Sequence, residues 1–223
     1  MKPINLQNVK ESIEGSFDRL PVGAYPCIIT EVTDYPNSEY LSVVVDIVAG
    51  EYERYFDKPF YADKPFAHSL VFSYKESALP MLKGRLHVIS DCNTGYDAES
   101  SFYAGNEQSL VGKVMGVVFA EQEYFNKKTK EFEYGSPQPA RLCRLTPDEL
   151  EKPENKEPKQ VPMTEKRKVA AIRNAKIATT DEDARRWLKQ YEADKAAGVA
   201  PASYSTSPSA PADTYNGDIP FMM

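Results

Sequence analysis

A chain of 223 residues that is 41% hydrophobic and 11% aromatic has apolar surface for one ordinary domain and an extension, and too little for two complete domains. Its formal net charge is −6, with 15 Lys and Arg against 20 Asp and Glu up to Leu145 and 12 against 13 beyond it, which excludes a chain that grips phosphates by overall charge. No stretch approaches the roughly 18 consecutive apolar residues of a membrane span, and residues 1–10 lack the apolar core of a signal peptide, so a cytoplasmic protein with no membrane partner is expected. Cys27, Cys92 and Cys143 are odd in number and far apart, which suits reduced, mostly buried thiols and neither a disulfide framework nor a metal knuckle.

Residues 1–20 are polar with scattered apolar side chains and read as a lead-in. Residues 24–35 follow a Pro21-Val22-Gly23 entry and are rich in Ile, Val, Thr and Tyr, which predicts a strand, and Pro36-Asn37-Ser38 predicts the turn that ends it. Residues 40–49 carry Val43, Val44, Val45, Ile47 and Val48, a β-branched run too short for a good helix and suited to a central strand. After Gly50-Glu51, the aromatic-rich stretch 52–61 predicts a third strand, prolonged by the alternation of Leu70, Phe72 and Tyr74.

The period then changes. Leu79, Leu82, Leu86 and Ile89 recur at three and four, Pro80 suits a first turn and residues 93–95 supply a stop, so 77–91 is predicted to be one amphipathic helix. A loop over 95–109 leads to a strand over 111–125 with Val114, Val117, Val118 and Phe119. Lys127-Lys128-Thr129-Lys130 reads as an exposed basic turn, and 131–134 with 139–145 complete a hairpin.

Three strands, one helix and two further strands is the order of an OB fold, a five-stranded Greek-key barrel that commonly binds single strands or oligosaccharides. Leu20-Pro21-Val22-Gly23-Ala24-Tyr25, Gly50-Glu51-Tyr52, and Val111-Gly112-Lys113 with Glu123-Tyr124-Phe125-Asn126-Lys127-Lys128-Thr129 resemble a family of uncharacterised phage proteins. Those proteins sit among phage replication and recombination functions and are thought to bind single-stranded DNA. The resemblance covers roughly residues 21–145 and implies an OB-fold DNA-binding domain there.

Residues 146–163 are dense in Pro, Glu and Lys and predict an extended, solvated linker. A helical extension is expected over 164–198. Thr164 caps a first helix to about residue 178, and Thr180 with Asp181, Glu182 and Asp183 opens a second that stops at Gly198. The second aligns Ala184, Trp187, Leu188 and Tyr191 on one face, while the first is basic, with Lys166, Arg167, Lys168, Arg173 and Lys176 against Glu165. Those cations are either the solvated side of a helical hairpin or an addition to a DNA-binding or assembly surface.

Residues 199–223 are mainly Ala, Pro, Ser, Thr and Tyr without Lys or Arg, which predicts a disordered tail. The tail ends with Asp218-Ile219-Pro220-Phe221 before Met222 and Met223. Those four residues resemble the C-terminal tip of bacterial single-stranded DNA-binding proteins, whose tails recruit replication and repair enzymes, and the resemblance implies a partner-binding tip at Asp218, Ile219, Pro220 and Phe221. Two features depart from that pattern: Asp213 and Asp218 are the only acids of the tail, and Met222 and Met223 displace the chain-end carboxylate from the Phe.

Single-strand binding needs stacking and phosphate neutralisation, and stacking is worth roughly 1–3 kcal/mol per base whatever the base. With 14 Tyr and 10 Phe, the chain can fill a small barrel and leave rings exposed. Tyr52, Tyr55 and Phe60 interleave with Arg54 and Lys58, and Tyr124, Phe132 and Tyr134 flank Lys127, Lys128 and Lys130, which makes these two groups the candidate DNA-binding residues. A given Tyr or Phe in a small β-barrel is core more often than a stacking platform, so the two groups are candidates as regions.

Catalytic readings find little support. Gly112-Lys113-Val114 lacks the first Gly and the hydroxyl of a phosphate-cradling loop, and His68 and His87 have no Cys or second His at ligand spacing. The expectation is a non-enzymatic phage-type single-stranded DNA-binding protein without cofactor, which coats strands in replication and recombination and recruits proteins of those processes by its tip. The alternative is an adaptor that captures host replication enzymes by tip mimicry without binding DNA.

Overall fold

The computed structural model describes residues 19–198, in two compact units: residues 19–122 with 135–161, and residues 123–134 with 162–198. The first unit, here the sheet unit, is built on strands β1 (Gly23–Tyr35), β2 (Tyr40–Ile47), β3 (Ser69–Ser73), β4 (Val114–Asn126) and β5 (Glu131–Cys143). They form an antiparallel sheet in the order β3-β2-β1-β4-β5, open, with β3 and β5 at its edges. The far ends of β4 and β5 belong to the second unit.

Period-two burial explains the sheet's inner face. Leu41, Val43, Val45 and Ile47 of β2 are buried with Cys27, Ile29, Leu70, Phe72, Val117 and Phe119 of the neighbouring strands. β1 faces both β2 and β4, and Thr30 is the extra residue of a β-bulge between Ile29↔Val45 and Glu31↔Val44. The bulge sets Thr30 and Glu31 both toward solvent and returns Val32 to the core. Helix α1 (Leu79–Cys92) adds Leu82, Leu86 and Ile89 of the expected stripe to the same core, while Leu79, at its first residue, is exposed. A second helix, α2 (Ala98–Tyr103), stands where a loop was expected; Asp97 caps it by accepting from the Ser100 amide at 3.1 Å.

β4 is buried on both faces from Met115 to Ala120. At Gly116 a Cβ would lie 2.5 Å from Cys143 Sγ and 2.8 Å from the Cys143 carbonyl oxygen, so only glycine lets β5 approach so closely. The outer face of β4 is covered by the segment expected to be a solvated linker. Thr146 Oγ1 accepts from the Glu149 amide at 3.3 Å and opens α3 (Pro147–Leu150); α4 (Pro153–Lys156) follows, and the Val161 amide donates to the Glu121 carbonyl at 2.9 Å. Pro, Glu and Lys here supply helix-opening residues rather than extension, and residues up to 161 belong to the sheet unit.

The stretch 52–61 is not the predicted third strand. It forms 3₁₀ turns at Tyr55–Asp57 and Pro59–Tyr61, with another at Pro65–Ala67, and β3 is the strand at Ser69–Ser73. Arg54 adopts a left-handed backbone (φ 54°), which breaks an extended path, and Asp46 accepts from the Ile47 and Phe56 amides at 2.8 and 3.0 Å. Proline cannot donate to a ladder, and Tyr55 and Phe56 turn inward while Phe60 stays exposed, a pattern no strand alternation gives.

The second unit, here the helical unit, joins the hairpin tip 123–134 to α5 (Glu165–Asn174) and α6 (Asp181–Ala196). Phe132, Val169, Ile172, Ala184, Leu188 and Tyr191 form its buried core. The Phe132 amide donates to Tyr191 Oη at 3.2 Å, and Thr180 Oγ1 caps α6 through the Asp183 amide at 3.1 Å. α6 stands where its cap places it, whereas α5 starts after Thr164 without a side-chain capping bond and ends at Asn174, short of the expected residue 178. No described helix is long and apolar enough to cross a membrane.

Candidate nucleic-acid interface

In the sheet unit, Pro59 and Pro65 fold residues 52–67 into an aromatic block rather than a strand. Phe56 is its base, buried and stacked on His68 (centroids 4.6 Å apart, planes 3° apart) and on Phe119 at 5.6 Å. Tyr55 packs edge-on against Phe56 at 5.0 Å, and its hydroxyl accepts from the Leu20 amide at 3.0 Å and from Tyr61 Oη at 3.2 Å. Burial, and then the bond to Tyr55, push the Tyr61 phenol well above the ordinary tyrosine range, so it remains a neutral donor at physiological pH.

A cleft of about 300 Å³ opens on this block, with Tyr55, Phe56, Tyr61 and Pro137 as apolar walls and Arg19 and Gln138 as polar ones. Phe60 also lines it and is 52% exposed; Lys64 Nζ stands 3.3 Å from the Phe60 ring centroid, and Lys58 Nζ stands 4.2 Å from that of Tyr55. An exposed ring beside fixed ammonium groups offers the two contacts a single strand requires, a π-face for a base and a cation for a phosphate.

An aromatic pair elsewhere in this unit has the wrong charge around it. Tyr35 and Tyr40 stack at 4.9 Å on the outer side of β1 and β2, within a stretch that exposes Glu31, Asp34 and Glu39. Clustered carboxylates repel a phosphate backbone.

Of the residues singled out in the first group, Phe60 lines the cleft, Lys58 stands over the ring of Tyr55, and Arg54 is exposed, ion-paired with Asp57. Tyr52 is half-buried against Tyr25, and Tyr55 is 2% exposed, so both support the block and neither offers a face for stacking. Tyr61 and Arg19 line the cleft and Lys64 stands over the Phe60 ring; none of the three was singled out. The interleaving of Lys64-Pro65-Phe66 continues the pattern of residues 52–60 and would have pointed to Lys64, whereas nothing local marks Arg19.

In the helical unit, the second group sits on a braced turn. Asn126 Oδ1 accepts from the Lys128 amide at 2.9 Å, and the Lys130 amide, at a left-handed φ of 60°, donates to the Asn126 carbonyl at 2.8 Å. Glu133 accepts from Asn126 Nδ2 at 3.0 Å, Thr129 Oγ1 at 2.7 Å and Tyr124 Oη at 2.9 Å, and these donors, Asn126 first, hold its carboxyl below the usual range. Lys127 and Lys128 are exposed on this turn, Lys130 is half-buried, and Tyr124 and Tyr134 are exposed beside it. Phe132 is 5% exposed, packed 4.9 Å from Phe125 and 5.5 Å from Tyr191, and is core rather than a platform.

Asp218, Ile219, Pro220 and Phe221 lie outside the described residues. His68 is buried with Nδ1 2.6 Å from the Val45 carbonyl oxygen, and His87 Nε2 lies 2.8 Å from Glu99 Oε2; among the described residues no three His, Cys, Asp or Glu groups converge as a metal site. Burial pushes the Cys143 thiol up to about 11 and raises that of Cys27 further, which keeps both protonated. No protein-family model matches this chain, and no curated protein matches it.

Proposed function

We propose that this chain is a non-enzymatic single-stranded DNA-binding protein of the phage type, which coats strands during replication and recombination in the cytoplasm of a bacterial host. The observation that carries the reading is Phe60, half exposed at the rim of an aromatic cleft with Lys64 at its ring and Lys58 at the ring of Tyr55. Stacking there is indifferent to base identity, as a coating protein requires. The fold reading is an OB fold: the order β3-β2-β1-β4-β5, with α1 between β3 and β4, is that of a five-stranded OB barrel opened between β3 and β5. Asp218-Ile219-Pro220-Phe221 serves as the recruiting tip for replication and recombination proteins, with Ile219 and Phe221 filling an apolar pocket and Asp218 meeting a basic rim.

The acidic balance of the sheet unit, 13 Lys and Arg against 19 Asp and Glu, favours one other reading, an adaptor that captures host enzymes by the tip and leaves DNA alone. Titrating the full chain into end-labelled oligothymidylate, with and without Mg²⁺, separates the two. Retention of the intact strand is expected; no retention supports the adaptor, and strand cleavage contradicts both.

A further inference from the structure

The two units differ in the sign of their charge. Against the acidic sheet unit, residues 123–134 and 162–198 carry 12 Lys and Arg and nine Asp and Glu. Six of those nine acids are engaged within the unit, and their ion pairs take up four of its cations. Glu123 and Glu192 are held by Lys168, Glu165 by Arg185, Asp181 by Arg173 and Asp183 by Arg186, while Glu133 is enclosed in the hairpin turn. Lys127, Lys128, Lys166, Arg167, Lys176 and Lys189, all exposed, have no ion-pair partner among the described residues.

Helix geometry then groups part of this excess. Val169 and Ile172 turn the inner side of α5 into the core of the unit, which leaves Lys166, Ala170 and Arg173 at spacings of four and three, and Arg167 with Asn174 at seven, on the solvent side. Lys176 follows directly, set outward by a left-handed backbone (φ 58°). Along this helix, about 15 Å long at 1.5 Å per residue, the exposed cations are therefore Lys166, Arg167 and Arg173, against Glu165 at its first residue beside Arg185 and the Asp181 carboxylate on Arg173.

We infer that the solvent side of α5 is a phosphate-backbone site, and that the helical unit supplies most of the ionic part of nucleic-acid binding while the sheet unit supplies stacking. This inference rests on the single-strand reading above. It assigns the salt dependence of binding to Lys166, Arg167 and Lys176, independently of Phe60.

The test measures the affinity of the full chain for labelled oligothymidylate across a salt series. With roughly −0.7 in the slope of log K against log salt per phosphate contact on single strands, replacing Lys166, Arg167 and Lys176 together by Gln should flatten the slope by about 2 and weaken binding about tenfold to a hundredfold at 0.1 M salt. Phe60→Ala should weaken binding with the slope unchanged. All four side chains are exposed, and a circular-dichroism spectrum matching that of the unsubstituted chain verifies the fold of each variant. A triple variant that keeps the full slope overturns the inference and leaves the single-strand reading standing. Absence of binding by the unsubstituted chain overturns both, and binding to phosphatidylserine vesicles but not to oligothymidylate reassigns the α5 surface to membranes and overturns it as well.

Discussion

Replacing Lys168 by Met should destabilise the helical unit out of proportion to the one atom group removed. Lys168 Nζ lies 3.3 Å from Glu123 Oε1 and 3.8 Å from Glu192 Oε1, and 4.9 Å from the centroid of the Phe132 ring. The side chains of Lys168 and Glu123 are only 17% and 10% exposed, so solvent does little to screen the pair. Methionine retains the apolar stem but leaves Glu123 charged in a nearly buried place, with the Met163 amide at 2.7 Å as its remaining donor. Breaking a fully buried pair costs about 3–5 kcal/mol, and the partial opening to solvent at Lys168 reduces this to about 2–3 kcal/mol. With a urea dependence of about 1–2 kcal/mol per molar for so small a unit, the midpoint should fall by about 1–3 M. Trp187 is the chain's one tryptophan and stacks on Tyr191 at 5.2 Å, so its fluorescence follows this unit during denaturation. Adding Glu123→Gln, which keeps an acceptor for the Met163 amide, should restore most of the loss. A midpoint shift below about 0.3 M, or a double variant less stable than Lys168→Met alone, would refute the reasoning, since both outcomes require Glu123 to be solvated.

Gly116→Ala forces a Cβ to within 2.5 Å of Cys143 Sγ and should lower stability by about 1–3 kcal/mol in thermal denaturation; an unchanged melting temperature contradicts the close approach of β4 and β5. Because hydrogen bonds depress the Glu133 carboxyl, its bracing of the hairpin turn is fully present above the unfolded glutamate value of about 4.3 and is lost as pH falls through the lower folded value. The Lys128 and Thr129 amide resonances should therefore hold steady from neutral pH down to that region and shift together below it, and a midpoint at or above the unfolded value would count against the bracing. Phe60→Ala should weaken oligothymidylate binding roughly 5- to 150-fold, the equivalent of about 1–3 kcal/mol for one stacked base, whereas Tyr35→Ala should leave it unchanged; the reverse order moves the strand to the outer side of β1 and β2.

Elements with an uninterrupted period or a strong cap were legible in the chain. The β-branched run of β2, the Leu82, Leu86 and Ile89 stripe of α1, and the Thr180 cap of α6 each stand within a few residues of the sequence reading. Residues 52–61 misled because aromatic composition argues for a strand while the left-handed Arg54 and Pro59 decide the backbone, and the Phe56–His68 stack that holds the block depends on a residue twelve positions away. Residues 146–161 misled in the opposite direction. Thr146, Pro147 and Glu149 form a helix-opening signature that was present and was outweighed by the Pro-, Glu- and Lys-rich composition around it. At the candidate site, composition identified two regions, but Tyr55 and Phe60 lie five residues apart in one stretch and differ from 2% to 52% exposure. Which ring is wall and which is platform depends on contacts with Leu20 and Phe119, far along the chain, and no local pattern encodes them. The same holds for Arg19, brought to the cleft by the Glu121 carboxylate at 2.9 Å.

The central claim is that a single strand engages the Phe60 cleft, and photocrosslinking tests it most directly. Oligothymidylate bound to the full chain, irradiated and digested, should yield crosslinked peptides from residues 58–67, with Phe60 or Tyr61 as the attachment point, and Phe60→Ala should remove that crosslink while the fold persists. Crosslinks confined to Tyr35 and Tyr40, or none in residues 58–67 under conditions where the strand is fully bound, would contradict the account.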